Sequence, residues 1–465
     1  MIDIRNDYTI SSLGQMIDPV IELSGKKIDS INRDFDTTKG APVFTVKGKY
    51  TSQGWTEWTQ GFQFGSEILQ FDATNQQKYL DWGREHTLKY MATHVSHTGV
   101  HDHGFNNVST YGNLLRLMHE GRIPDNPWER EFYEMALKLS GSVQASRWTT
   151  LPGDLGYVYS FNGPHSLFAD TVRTMRILSL SHSLGHVLMG EQDRKINLLE
   201  RMLQHMETTS QYIVYFGKDR DSYDIRGRVV HEAILNLNNG AFRCPSTQQG
   251  YSPFTTWTRG LSWVMLGYPE QLEFLFQLPD EQFSNLKVGN LSGKKAILER
   301  LEETADAAMD FYIEHTPADG IPYWDTGAPG LAMMGGYLDR PADPFNDFEP
   351  VDSSAAAIAA QGLLRYGHYL IDTRREEKGQ NYVQAGVKVA HTLFDEPYLS
   401  TEEDHQGLLL HSVYHRPNGW DYIPKGKMIP SGESSMWGDY HMRELALYLK
   451  RLASKNEPYY SFYPD

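Results

Sequence analysis

Residues 249–263 read QGYSPFTTWTRGLSW, which sets two tryptophans, one arginine and one glutamine in a short stretch. Trp257 and Trp263 offer flat apolar faces with one polar edge each. Arg259 carries a planar fork that matches a carboxylate bidentately, as a lysine would not. Gln249 both donates to and accepts from hydroxyls. Together these groups have the chemistry to stack a sugar ring and hold its acid group. A tryptophan pair in a helix core with a structural arginine fits the same residues, and the stretch alone leaves both readings open.

Two further constellations carry ionisable groups. In His101-Asp102-His103-Gly104-Phe105, two histidines flank an aspartate. Imidazole and carboxylate both bind zinc or iron, but an i, i+2 histidine pair without an accompanying Glu or Cys motif is a poor metal signature, and no metal is expected. Either Asp102 caps the next helix, or it projects into a pocket with His101 beside it as a donor, Gly104 permitting a tight turn. Asp170, in SLFADTVRTM, heads an otherwise apolar helical stretch. Placement in a helix's first turn or pairing with Arg173 would explain it structurally. A general acid whose pKa is raised by partial burial would explain it chemically.

The elements that must position these groups are helices. Apolar residues recur at 3–4 spacing over Phe64–Tyr90, Leu167–Met189, Ile196–Tyr212, Ala296–Tyr312, Ser353–Ile371 and Trp437–Leu452, with further candidates near 128–140, 257–277 and 381–394. Strand patterns are brief: Pro42–Lys49 and segments near 229–242 and 407–415 read as short hairpins or extended loops. Long loops at 99–112, 151–165, 239–256, 317–352 and 415–436 hold the His, Asp, Trp and Arg residues of interest. Many helices with functional loops at one end predict an all-α fold, paired helices closed into an α/α barrel. Residues 1–30 are expected to form an N-terminal arm and residues 31–465 a single barrel domain.

Composition narrows the function. A net charge of −16 removes the electrostatic case for nucleic acid or an anionic membrane surface. The single cysteine, Cys244, excludes an intramolecular disulfide and a cysteine zinc cluster. No signal peptide and no run of 18 apolar residues is visible, so a cytoplasmic protein is expected, with a periplasmic form whose leader is absent as the alternative. The 10 Trp, 27 Tyr and 20 Phe suit a carbohydrate pocket. The oligomeric state is left open, a homodimer included.

In order along the chain, the motifs resemble those of the unsaturated glucuronyl hydrolases, glycoside hydrolase family 88, and of the related unsaturated rhamnogalacturonyl hydrolases of family 105. They are Trp58-Thr59-Gln60-Gly61-Phe62, the His101–Phe105 run, Asp170 and His231. Gln249-Gly250-Tyr251, Thr256-Trp257 with Arg259-Gly260, and Trp263 follow, then Pro322–Asp325, Asp352–Ala360 and Trp437-Gly438-Asp439-Tyr440. The resemblance covers roughly residues 50–450 and implies an (α/α)6 barrel that needs no cofactor. It implies an acidic oligosaccharide substrate ending in a 4,5-unsaturated uronic acid left by a polysaccharide lyase. Hydration of that vinyl ether yields a hemiketal, which opens and releases the neighbouring sugar. Carried over by position, Asp170 would be the general acid/base and Asp102 the second carboxylate. His101, His231, Gln249 and Arg259 would hold substrate, and Trp58, Phe62, Trp257, Trp263 and Tyr440 would complete its binding walls. The acid role implies that Asp170 has a raised pKa. Departures from the family pattern fall around the sugar site: Pro253 and Phe254 where an acidic residue is usual, Leu261-Ser262 before Trp263, and Val172-Arg173-Thr174 after Thr171. Arg173 and Arg176 would add positive charge near the pocket or pair with surface carboxylates, and an insertion near 331–350 would reshape the entrance.

The alternative reading is a β-glucuronidase acting on saturated terminal glucuronic acid with the same carboxylate pair. An epimerase using His101, His103 and His231 for proton abstraction, and a non-catalytic sugar-binding protein, are the remaining classes. The presence of both Asp102 and Asp170 argues against the last.

Overall fold

Two kinds of helix alternate along the chain. In one kind small and apolar residues occupy every face, as in SSAAAIAAQGLLRYGHYL, and such a helix must be buried all round. In the other a single apolar stripe is opposed by charges, as in GKKAILERLEETADAAMDFYIEH. The computed structural model describes residues 1–4, 8–54, 57–454 and 461–462, so residues 5–7 of the expected arm lie outside the described residues.

The striped, outer helices are α1 (Ile10–Asp34), α3 (Gln77–Tyr90), α5 (Pro127–Ser146), α7 (Leu198–Tyr212), α9 (Gly293–His315) and α11 (Glu376–Leu393). The inner helices are α2 (Gln60–Thr74), α4, α6 (Arg176–Ser183), α8 (Thr258–Gln277), α10 (Ser353–Asp372) and α12 (Met436–Ala453). Helix α4 is built of three successive pieces, His103–Asn107, a π-helical Val108–Gly112 and Asn113–His119. Each inner helix packs on the next, and α12 returns to α2, closing the ring. This is the (α/α)6 barrel expected from the sequence. Helix α1, capped by a Thr9–Ser12 box, runs through the boundary expected near residue 30 and packs on α2 and α12. Among the described residues no helix is long and apolar enough to cross a membrane.

Three segments differ from the periodicity. The run expected over Phe64–Tyr90 breaks at Asn75, whose left-handed φ of 56° ends α2. Leu167 belongs to a strand, because Ser166–Phe168 pairs with Glu232–Leu235, which pairs in turn with Phe242–Ser246. The expected loop 99–112 is helical from His103 onward. The hairpin near residue 45 forms between Phe44–Val46 and Lys49–Thr51, while 407–415 contributes an isolated bridge, Leu399 to Leu409.

Candidate active site

The three-stranded sheet does the first positioning. Phe168 lies opposite Glu232, and Ala169 N–H donates to the His231 carbonyl at 2.9 Å, so Asp170 emerges from the strand end beside His231. The second carboxylate arrives on α4, whose first turn lies directly on the segment after Asp170. A Cβ on Gly104 would meet the Thr174 carbonyl oxygen at 2.2 Å, so Gly104 is required for close approach of two backbones and not for a turn.

Both aspartates occupy helix N-cap positions, yet neither side chain makes a capping hydrogen bond. Arg173 does not neutralise Asp170 either; its guanidinium meets Glu270 at 3.0 Å and Glu444 at 3.5 Å in the barrel interior. Arg176 donates to the Gly104 carbonyl at 2.8 Å and faces the same two buried glutamates. These arginines therefore neither line the pocket nor pair at the surface.

What lies between the aspartates is His101. Its Nε2 is 3.4 Å from Asp170 Oδ1 and 3.9 Å from Asp102 Oδ1. Burial alone would pull this imidazole down, but the two carboxylates override it and the net shift is upward. Burial pushes Asp102 above the ordinary carboxyl range, with the Asp170 charge adding to it against His101. Burial also pushes Asp170 up, yet the contact with His101, its charge and the field of Arg259 bring it below its usual value. The raised pKa expected for Asp170 thus belongs to Asp102, because the cationic neighbours cluster around Asp170. The His103 ring points away from this group: its nitrogens engage Ser140 Oγ and the His97 carbonyl, each at 2.9 Å, so the two histidines do not converge.

A cavity of about 350 Å³ opens over this cluster. Of the residues expected at the site, Asp102, Asp170, Trp58, His101, Gln249, Trp257, Arg259 and Trp263 line it. Three do not. Phe62 is buried behind Trp58 and Phe105, with ring centroids at 6.0 and 5.6 Å. Tyr440 lies deeper still, its ring on Phe62 and its hydroxyl donating to Glu444 at 3.3 Å. His231 stands behind the wall between Phe168 and Trp257. Its Nδ1 accepts from Gln248 N–H at 2.9 Å, which puts the proton on Nε2, an atom with no hydrogen-bond partner among the described residues. Burial lowers this imidazole to about 4, so it is a neutral donor.

Arg259 also differs from expectation. It is sandwiched between Trp257 and Trp437 at 4.7 and 4.9 Å. Its fork is loaded by Asp352 at 2.9 Å, by Gln249 Oε1 at 2.9 Å and by the carbonyls of Val413 and Tyr414. The guanidinium braces the wall and supplies a field, and it turns the Gln249 amide so that its NH2 remains available. The 331–350 segment contributes nothing to the lining.

Sequence reasoning did not single out Phe161, which stacks on His101 at 6.2 Å and 16°, nor His415, Asn418 and Trp420, which form the far wall. Their signal was aromatic content in the loops 151–165 and 415–436. Asp421 pins that wall by accepting from the Tyr414 and His415 N–H groups.

No family model matches the chain. It is 24% identical over 391 residues, 83% of this chain and 78% of the relative, to an unsaturated glucuronyl hydrolase of Formosa agariphila. It is 23% identical over 446 residues, 94% of this chain and 91% of the relative, to an unsaturated chondroitin disaccharide hydrolase of Streptococcus pneumoniae. The fold superposes on an unsaturated glucuronyl hydrolase from a Bacillus species with a TM-score of 0.68 at 19% identity, covering 95% of this chain and 97% of the other. An unsaturated glucuronyl hydrolase specific for heparin gives a TM-score of 0.71 at 17% identity, covering 96% and 100%.

Proposed function

The chain belongs to the unsaturated glucuronyl hydrolase family, and from that premise we propose that it removes a terminal 4,5-unsaturated uronic acid from lyase-made oligosaccharides by hydrating the double bond. The observation that carries the reading is one imidazole, His101, held between Asp102 and Asp170 at the cavity wall. Asp170 delivers a proton to C4, and positive charge develops at C5 and the ring oxygen. The resulting carboxylate then takes a proton from the water that adds to C5. The hemiketal opens by breaking the bond between C5 and the ring oxygen, and the hemiacetal left at C1 expels the neighbouring sugar. Water is the only co-reactant.

An acid with a lowered pKa needs a reason to hold its proton. The substrate supplies one, because its own carboxylate enters beside Asp170 and a like charge raises the pKa of a neighbouring acid. In the empty site the proton rests on His101; with the anion bound, the balance moves toward Asp170. The Gln249 amide is a donor for substrate oxygens, and Trp58, Trp257 and Trp263 supply apolar faces. Asp102, its carboxyl pushed up by burial, orients the water or a hydroxyl.

The test is the ultraviolet absorbance of the C=C bond on an unsaturated disaccharide, run in deuterated water. Loss of absorbance with one deuterium at C4 of the keto acid is the expected result. Release of nitrophenol from a saturated glucuronide with no loss of absorbance would replace this reading with the β-glucuronidase.

A further inference from the structure

Helix α5 has two faces of opposite character. Inward, Ser140 Oγ contacts His103 and Gln144 Nε2 donates to the His101 carbonyl at 2.7 Å, so the helix supports the segment that carries Asp102. Outward, Trp128, Phe132, Met135 and Leu139 are 82, 46, 61 and 49% exposed. Their 4-3-4 spacing puts all four on one line, the spacing of a helix-pairing seam. Together they present on the order of 500 Å² of apolar surface, toward the upper end of what an isolated chain leaves bare.

We propose that this face is where two copies of the chain associate, with their α5 helices antiparallel across a two-fold axis. The charges beside the seam select both partner and direction. Glu131 and Lys138 flank the same edge of the stripe at opposite ends, with Lys138 also holding Glu134 of its own chain at 3.0 Å. With the axis midway between Phe132 and Met135, Trp128 falls opposite Leu139 of the second copy and Phe132 opposite its Met135. Each Glu131 then comes within about one helical turn of the other copy's Lys138. Parallel pairing would bring Glu131 against Glu131 and tryptophan against tryptophan. A lipid surface fits poorly, because the chain carries a net charge of −16 and the stripe is bordered by Glu129, Glu131 and Glu134. Two such patches in contact would bury roughly 1,000 Å², at the lower limit for a specific interface, which gives a reversible dimer in the micromolar range.

This inference is independent of the hydrolase reading, since the stripe lies outside the cavity and turnover is not the readout. The experiment is sedimentation velocity of the full chain across a concentration series. The expected result is a monomer–dimer equilibrium with a dissociation constant of about 1–50 μM. Met135→Glu should weaken it about 100-fold, and Glu131→Lys about tenfold, by setting like charges opposite each other. The double variant Glu131→Lys/Lys138→Glu should return to within about threefold of the parent, because the exchanged pair is again complementary. Far-UV circular dichroism and turnover serve as folding controls, and Met135 is exposed enough for both to stay unchanged. A species that remains monomeric throughout, a dimer indifferent to Met135→Glu, or a double variant as weak as Glu131→Lys would overturn the proposal. Co-sedimentation of the parent with phosphatidylcholine–phosphatidylglycerol vesicles, lost in Met135→Glu, would assign the face to lipid instead.

Discussion

The Asp102–His101–Asp170 cluster and the charged layer just below it occupy the same passage of chain, yet they solve opposite problems. In the lower layer Arg173 and Arg176 meet Glu270 and Glu444, two cations against two anions drawn from three inner helices and the turn before one of them. Burial pushes Glu444 up, but Arg173, His441 and Arg176 override it, and it stays ionised. At the cavity wall two carboxylates share one imidazole, and beyond the 3.4 Å His101–Asp170 contact, Asp170 Oδ1 and both His101 nitrogens lack hydrogen-bond partners among the described residues. Burial is common to both regions. What separates them is balance: the closed network spends its charges on the fold, and the unbalanced one, open to a cavity, keeps them for a reaction.

That contrast can be broken at either end. Asp170→Asn should lower kcat about 1,000-fold while leaving the circular dichroism spectrum and calorimetric binding of the disaccharide intact; near-normal turnover would remove Asp170 from the chemistry. Glu444→Gln should do the reverse, costing about 3 kcal/mol of stability by stranding buried arginine charge. It would be seen as a lowered urea midpoint, with kcat per folded molecule little changed.

His101→Gln tests the shared proton. Because His101 is shifted above its ordinary 6.5, the wild-type pair loses its proton only above that pH, and kcat/KM should fall on the alkaline side there. The bound anion raises both groups, so the limb in kcat should lie at higher pH than the limb in kcat/KM. In His101→Gln a lone carboxylic acid must hold the proton. The limb should drop toward the carboxyl range and kcat fall about 30-fold; an unmoved limb would show that His101 only shapes the wall. The smallest effect is expected from Tyr440→Phe, about 1 kcal/mol of stability from a lost buried hydrogen bond, with kcat and KM nearly unchanged because the hydroxyl faces Glu444 and not the cavity.

The sequence was most informative where the physics is local. Three- and four-residue spacing revealed the helices, and faces apolar all round, as in Ser353–Asp372, marked those that line the interior. It was least informative where partners come from afar. Leu167 looks helical until residues 232–235 pair with its strand. Arg259 looks free until Asp352 and the 413–414 carbonyls take its donors. Phe62 and Tyr440 carry the right chemistry for a sugar wall, but residue type does not distinguish a wall from the packing behind it. The direction of the Asp170 shift depended on His101 and Arg259 arriving beside it, which no spacing along the chain encodes.

Because Gly104 rests on the Thr174 carbonyl, the gap between the two acids is set by main chain against main chain. Rotamer changes or exchanged side chains around the mouth leave that gauge untouched. New loop sequences can therefore adapt the opening to a different sugar without recalibrating the acid pair, whereas a single methyl group at Gly104 would pry the two carriers apart.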